Sequence, residues 1–235
     1  MKMQSNEFLE IKEQVAYYQY SADALCELRT AIAPAIAQDI VTHKDYRSWR
    51  MVGLLGVLYA TDKLDGFFAS RRADIMNSTN SNIRAGIESD VQLVEAIAQG
   101  GRKDDKADKA LTHSIFLSVA ARESLNKNIG YGSLIAGSDA VMYIRDSIVG
   151  KARDKASLRG IKGDARRLGK YKQGLLVLTA MTAVAPLPER TPHKSVGQTI
   201  VKAGILGGVA LSLISGIDQI RSLKKTSTDE VTDTK

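Results

Sequence analysis

The chain has 235 residues, of which 44% are hydrophobic and 25% charged, and its formal net charge at pH 7 is +7. Its single cysteine, Cys26, excludes a disulfide or a cysteine-based metal site within one chain. The basic balance fits an anionic partner, which could be nucleic acid, an anionic membrane surface or a phosphorylated substrate.

A polar, partly amphipathic N-terminal helix or arm is predicted over residues 1–20, and its mixed charge predicts no cleavable signal peptide. Six apolar stretches with a helical pattern follow it. They lie near residues 22–41, 49–69, 107–121, 131–150, 174–187 and 196–220. The pattern predicts an all-α protein.

The segments between and after these stretches are polar. Residues 72–99 form an inserted polar segment, residues 151–172 are strongly basic, and residues 223–235 are predicted to be a disordered tail. We therefore assign residues 21–222 to one membrane domain that carries the insertion.

The placement of positive charge separates a membrane bundle from a soluble one. If both termini are cytoplasmic, the two interior connections carry many lysines and arginines, while the three exterior turns carry few. This asymmetry follows the positive-inside rule, and a soluble bundle has no reason to sort its loops in this way. We predict a six-transmembrane-helix polytopic bundle in the cytoplasmic (inner) membrane, with its active site facing the cytoplasm.

Two pairs of carboxylates stand at the ends of neighbouring apolar stretches. Asp62 and Asp65 close the second stretch, and Asp104 and Asp108 precede or open the third. Within each pair the spacing places both acids on one helical face. Four acids at one interface need a strong positive partner, and divalent cations with oxygen ligands suit displacement at phosphorus. The alternative is a solvated loop, because basic residues are interleaved with the acids.

Together the two stretches resemble the signature of the CDP-alcohol phosphatidyltransferases, D-x2-D-G-x2-A, then an arginine, then G-x3-D-x3-D. The matching residues are Asp62, Asp65, Gly66, Ala69, Arg71, Gly100, Asp104 and Asp108. Two features depart from the pattern. Ser70 stands where the family arginine follows the alanine, so Arg71 would serve from the next position, and the spacing from Ala69 to Gly100 is longer than usual.

Further elements are similar to the glycerol-phosphate-using branch of the family. Residues 24–29, with Pro34 five positions on, resemble the opening of the first helix, although Asp23 replaces the usual asparagine. Residues 145–153 resemble the R-E-x6-R element with Asp146 in place of glutamate. Residues 169–173 resemble G-K-x-K-T with Gln173 in place of threonine.

The resemblance implies a metal-dependent transferase. Asp62, Asp65, Asp104 and Asp108 would hold Mg²⁺ or Mn²⁺, with two ions expected, and Asp108 would also act as the general base. The CDP-lipid, CDP-diacylglycerol, would be bound by Gly66, Ala69, Arg71 and Gly100. The phosphate of the acceptor would be bound by Arg145, Arg153, Lys170 and Lys172.

The favoured reaction transfers a phosphatidyl group to glycerol-3-phosphate and releases CMP, with phosphatidylglycerol phosphate as the product. The basic residues could instead serve general attraction to anionic lipid headgroups. Other acceptors, namely phosphatidylglycerol or an inositol phosphate, stay open, as does a non-catalytic membrane scaffold derived from the family. A soluble basic helical protein that binds nucleic acid is the remaining rival, and we predict membrane lipids and no nucleic acid as partners.

Three glycines in the last apolar stretch, Gly204, Gly207 and Gly208, indicate close helix packing. They could pack within the chain or face a second copy, so a homodimer is also possible.

Overall fold

A computed structural model of the chain describes residues 2–157, 167–186 and 193–232. In those ranges it contains seven helices and no strand, which confirms the all-α prediction. The helices are α1 (Lys2–Thr42), α2 (Trp49–Ser78), α3 (Ser81–Glu88), α4 (Val91–Leu125), α5 (Ile129–Ser157), α6 (Arg167–Val184) and α7 (His193–Thr232).

The chain divides into two compact units. The first unit comprises Met1–Ile36 and Gly53–Leu111, and the second comprises Ala37–Val52 and Thr112–Lys235. The helices α1, α2 and α4 each contribute residues to both units, because the boundaries fall inside them.

The first unit has an apolar core that joins the N-terminal arm to the inserted segment. Val15 of α1, Ile87 of α3 and Leu93 of α4 are buried together. The side chains that pack around them are Phe8, Ile11, Ala16, Ile75, Met76, Ile83 and Ile97. Residues 72–99, predicted as an inserted polar segment, are largely helical and form the end of α2, all of α3 and the start of α4.

Side-chain caps mark the helix starts inside this inserted segment. The Asn80 side chain accepts a hydrogen bond from the backbone N–H of Asn82 (3.0 Å), and Asp90 accepts one from the N–H of Leu93 (3.1 Å). Such caps satisfy the donors that a helix start leaves unpaired. The sequence interpretation ended the second helix near residue 69, whereas the observed α2 continues to Ser78 because its polar extension packs on the shared core.

In the second unit, α7 packs closely against α6. A Cβ added at Gly204 would lie 2.1 Å from Thr179 Oγ1, and one added at Gly208 would lie 2.6 Å from Leu176 Cδ2. The predicted close packing at these glycines is confirmed, and the contacts are within the chain. Residues 223–232 of the predicted tail belong to α7 here, and residues 233–235 lie outside the described ranges.

One helix in the described part of the chain, Val196–Arg221 of α7, is long and apolar enough to cross a membrane. Length and composition thus support one possible span. The six-span arrangement stays a prediction.

Candidate functional site

The structure brings the four predicted acids together in the first unit. Asp62 and Asp65 lie on one face of α2, and Asp104 and Asp108 lie on one face of α4, as their spacing requires. Both pairs face Arg29 of α1, which contacts all four carboxylates. We call these four acids and Arg29 the carboxylate cluster.

Each of the two terminal nitrogens of the Arg29 guanidinium contacts one acid from each pair. Nη1 lies 2.7 Å from Asp108 Oδ1 and 3.3 Å from Asp62 Oδ1. Nη2 lies 2.8 Å from Asp104 Oδ1 and also donates to Asp65 Oδ2. The Arg29 side chain has no exposed surface, whereas 43% of the Asp104 side chain is exposed, so the cluster opens to solvent at Asp104.

The cluster occupies the middle of its helices. The sequence interpretation placed the acids at helix tips, but α2 continues beyond Asp65 and α4 begins well before Asp104. The apolar pattern marks only part of each helix. The remaining turns are polar in sequence and are stabilised by the core around Val15, Ile87 and Leu93.

Negative charge is in excess in the cluster, because four carboxylates face one guanidinium. Burial raises the pKa of Asp104 above its ordinary value, Arg29 opposes this shift, and the neighbouring charges of Asp62 and Asp105 reinforce it. A bound cation would relieve this excess.

Cys26 lies one helical turn before Arg29 and extends the cluster. Its thiol lies 3.5 Å from Asp65 Oδ2, as a donor, and Arg29 Nη2 lies 3.5 Å from its sulfur. The Cys26 side chain is buried.

These groups could hold a metal ion. One oxygen from each of Asp62, Asp104 and Asp108 lies within 4.8 Å of the other two, and Cys26, Asp65 and Asp104 form a second such group. The first group offers only carboxylate oxygens, which hard divalent cations prefer, and the second adds a softer sulfur. The expectation that a single cysteine excludes a cysteine-containing metal site was wrong for this mixed group, because two carboxylates lie beside the thiol. The donor set therefore fits a metal, with Asp104 common to both groups.

The predicted CDP-lipid residues have different surroundings. A Cβ added at Gly66 would meet nothing within 4 Å, so the face beside Asp62 and Asp65 has room for another molecule. Ala69 is half-buried, and Arg71 is exposed with its guanidinium 5.3 Å from the centroid of the Phe67 ring. Arg71 thus lies near this face without joining the carboxylate cluster.

Gly100 serves the packing of α4 on α1. A Cβ added there would lie 2.8 Å from Gln19 Nε2. Gln19 in turn donates to Asp23 Oδ1 (2.9 Å) and to the backbone oxygen of Ala96 (3.0 Å). Close helix approach explains this glycine without a bound ligand.

A groove in the first unit was not predicted. It has a volume of about 490 Å³, and its lining includes Tyr20, Asp23, Glu27, Glu95, Gln99 and Lys103. Lys103 Nζ contacts Asp23 (2.9 Å) and Glu27 (3.3 Å), and the hydrogen bond to Asp23 is the main cause of its raised pKa. Lys103 directly precedes Asp104, so the groove and the carboxylate cluster are neighbours on α4.

Two of the four predicted acceptor residues come together in the second unit. Arg145 and Lys172 both contact Asp146, which lies 3.0 Å and 3.1 Å from Lys172 Nζ through its two oxygens. Arg145 also donates to Ser215 Oγ. All three charged side chains are at least 85% buried. The side chains of the other two predicted residues, Arg153 and Lys170, lie outside the described part of the structure.

Arg29 is the residue of the candidate site that the sequence interpretation missed. It was quoted only as part of the first-helix resemblance. A signal was present, because a charged residue within an apolar helical stretch needs a buried partner.

Comparisons with protein-family models, with curated proteins and with solved structures found no match.

Proposed function

We propose that this protein is a metal-dependent transferase that moves a phosphatidyl group from CDP-diacylglycerol to glycerol-3-phosphate, releasing CMP and forming phosphatidylglycerol phosphate. One observation carries the proposal. Four carboxylates from two helices that are distant in the chain converge on one guanidinium. The same four acids stand in the sequence motif that resembles the CDP-alcohol phosphatidyltransferases.

Asp62, Asp65, Asp104 and Asp108 would hold Mg²⁺ or Mn²⁺, with two ions expected. When bound, the metal would neutralise the diphosphate of the CDP-lipid and stabilise the charge on departing CMP. Asp108 would accept the proton of the attacking hydroxyl. The open face beside Gly66 would admit the donor next to these acids.

Arg145 and Lys172 would bind the acceptor phosphate. Both cations contact the carboxylate of Asp146, so a guanidinium and an ammonium lie side by side in this group. A guanidinium fork and an ammonium are both suited to phosphate oxygens. Other acceptors of the same enzyme class, phosphatidylglycerol and an inositol phosphate, carry phosphate too, and the assay below distinguishes them.

Exposed apolar stripes support a membrane location with more than one span. Large apolar side chains recur on one face of each of three helices, at helical spacing. They are Leu54, Val57, Leu64 and Phe67 on α2, Val141, Ile144 and Ile148 on α5, and Val196, Ile200, Ile214 and Ile217 on α7. Soluble monomers rarely expose such surface, and lipid tails would cover it. The positive-inside rule would place the site on the cytoplasmic side of the inner membrane.

The test is CMP release from CDP-diacylglycerol by detergent-purified protein, with and without Mg²⁺, across a panel of acceptors. We expect turnover that requires the metal and is fastest with glycerol-3-phosphate. Asp104→Asn should reduce CMP release by about 100-fold or more, because it removes a ligand shared by both candidate metal groups.

Asp105→Asn is the matched control for this variant. Asp105 is the next residue on α4, but it pairs with Lys109 and not with Arg29. It should keep nearly full activity. Unchanged CMP release in Asp104→Asn, or no turnover with any acceptor, would rule out the proposed mechanism.

A non-catalytic scaffold is a second candidate, favoured by one observation: Arg29 already contacts every acid of the cluster. A scaffold would show no CMP release with any acceptor and no change in thermal stability on adding Mg²⁺ or Mn²⁺.

A further inference from the structure

Arg29 is buried within the carboxylate cluster. Its side chain is fully buried, its two terminal nitrogens contact the four acids and the Cys26 sulfur, and its Nε has no hydrogen-bond partner. Burying an arginine is costly unless its charge is matched. The acids are therefore what keep this cation inside the first unit.

The guanidinium and a metal ion would use the same carboxylates. Asp62, Asp104 and Asp108 form the oxygen group that could hold a metal, and each of them contacts a terminal nitrogen of Arg29. An oxygen that accepts a short hydrogen bond from a guanidinium has less electron density to offer a metal. A metal that enters this group must share these carboxylates with Arg29 or displace it.

We propose that Arg29 is a tethered counter-ion that holds the four acids together in the metal-free protein and competes with the divalent metal for them. The inference rests on the metal site of the proposed function. Metal binding is then weaker than the four acids alone would give, because part of its free energy is used to move the guanidinium. In the metal-free protein, the charge of Arg29 keeps the four acids from moving apart by mutual repulsion.

The test compares wild type with Arg29→Met, which removes the charge and keeps a long side chain. Without Arg29 the four acids repel one another, so the midpoint of thermal unfolding in EDTA should fall by about 10 °C. Saturating Mn²⁺ should restore most of this loss. The dissociation constant for Mn²⁺, measured by electron paramagnetic resonance, should be about tenfold lower than in wild type.

Arg84→Met is the matched control. Arg84 is an exposed cation of the first unit that pairs with Glu88 on α3. The same substitution there should leave both the Mn²⁺ affinity and the effect of EDTA on stability unchanged.

Arg29→Lys keeps the proposal testable if Arg29→Met does not fold. A lysine has one compact charge and cannot bridge all four acids as the guanidinium does. It should unfold at a lower temperature than wild type in EDTA and bind Mn²⁺ more tightly. Equal or weaker Mn²⁺ binding by either variant would overturn the proposal.

Binding and turnover also separate this inference from the proposed function. Mn²⁺-dependent CMP release by wild type, with no gain in Mn²⁺ affinity in Arg29→Met, would refute only the counter-ion role. Tighter Mn²⁺ binding in Arg29→Met without any CMP release would support the counter-ion role and refute the transferase.

Discussion

The carboxylate cluster of the first unit and the polar cluster around Glu123 in the second unit solve the problem of buried charge in opposite ways. Around Glu123, one carboxylate accepts hydrogen bonds from Tyr46 (2.8 Å), Arg47 (2.7 Å) and Asn128 (2.9 Å). There, one carboxylate faces one guanidinium, and its oxygens accept a hydrogen bond from each of the three donors. Around Arg29, four carboxylates share one cation.

The difference indicates which cluster has its charges balanced by the protein itself. The donors on Glu123 come from the α1–α2 connection and from Asn128, the last residue before α5, so the cluster links these segments to α4. Burial raises the pKa of Tyr46 to about 12, which keeps its hydroxyl protonated as a donor. The carboxylate cluster lacks such a balance, and we interpret its excess of negative charge as the signature of a cation-binding site.

The largest expected effect is on activity. Asp108→Asn removes the proposed base and a metal ligand, so CMP release should fall by about 100- to 10,000-fold. Thermal stability in EDTA should not fall, because the change removes one of the charges in excess. Loss of activity accompanied by unfolding in EDTA would instead make this cluster structural, like the one around Glu123.

Glu123→Gln should act mainly on stability. The change keeps the size of the side chain but leaves the largely buried Arg47 without this countercharge, at a cost of about 3 kcal/mol in the free energy of unfolding. Chemical denaturation would measure it. The loss should be the same in EDTA and in Mn²⁺, and Glu88→Gln, in an exposed pair, should change little. Rescue of Glu123→Gln by metal would remove the contrast between the two clusters.

Lys172→Met should weaken acceptor binding. It removes one of the two cations on Asp146, so the KM for glycerol-3-phosphate should rise about tenfold, with a smaller change in the KM for CDP-diacylglycerol. Steady-state kinetics with each substrate varied in turn would show this. Lys155→Met, at an exposed lysine near the end of α5, is the control. An equal rise in both KM values would place Lys172 outside the acceptor site.

The smallest effect concerns pH and the half-buried carboxylate of Asp90. A hydrogen bond from Lys12 and one from the N–H of Leu93 lower the pKa of Asp90. Its folded-state pKa lies below the unfolded value of about 3.9, so its charge stabilises the fold above that pH and is lost as the pH falls through the folded-state pKa.

Asp90→Asn isolates this contribution, because asparagine can also cap α4. The variant should unfold at a slightly lower temperature than wild type at about pH 6, and the difference should be smaller at about pH 3. Thermal unfolding at both pH values would measure the difference. A constant difference between the proteins would show that the charge of Asp90 contributes nothing.

The shared core of the N-terminal arm and the inserted segment shows where prediction from sequence stops. Apolar residues such as Phe8, Ile75 and Ile83 are widely spaced among polar ones and have no long apolar stretch of their own. Each segment looked polar by itself. Only when α1, α2, α3 and α4 meet does a buried core appear.

The sequence by itself determined that the chain is helical and that its acids fall into two pairs, each on one helical face. Both properties depend on residues three or four apart, which local backbone geometry controls. Only the tertiary structure decided that both acid pairs face Arg29 and that Arg145 and Lys172 share Asp146. These groupings join side chains from different helices, and the packing of those helices sets which charges must balance one another.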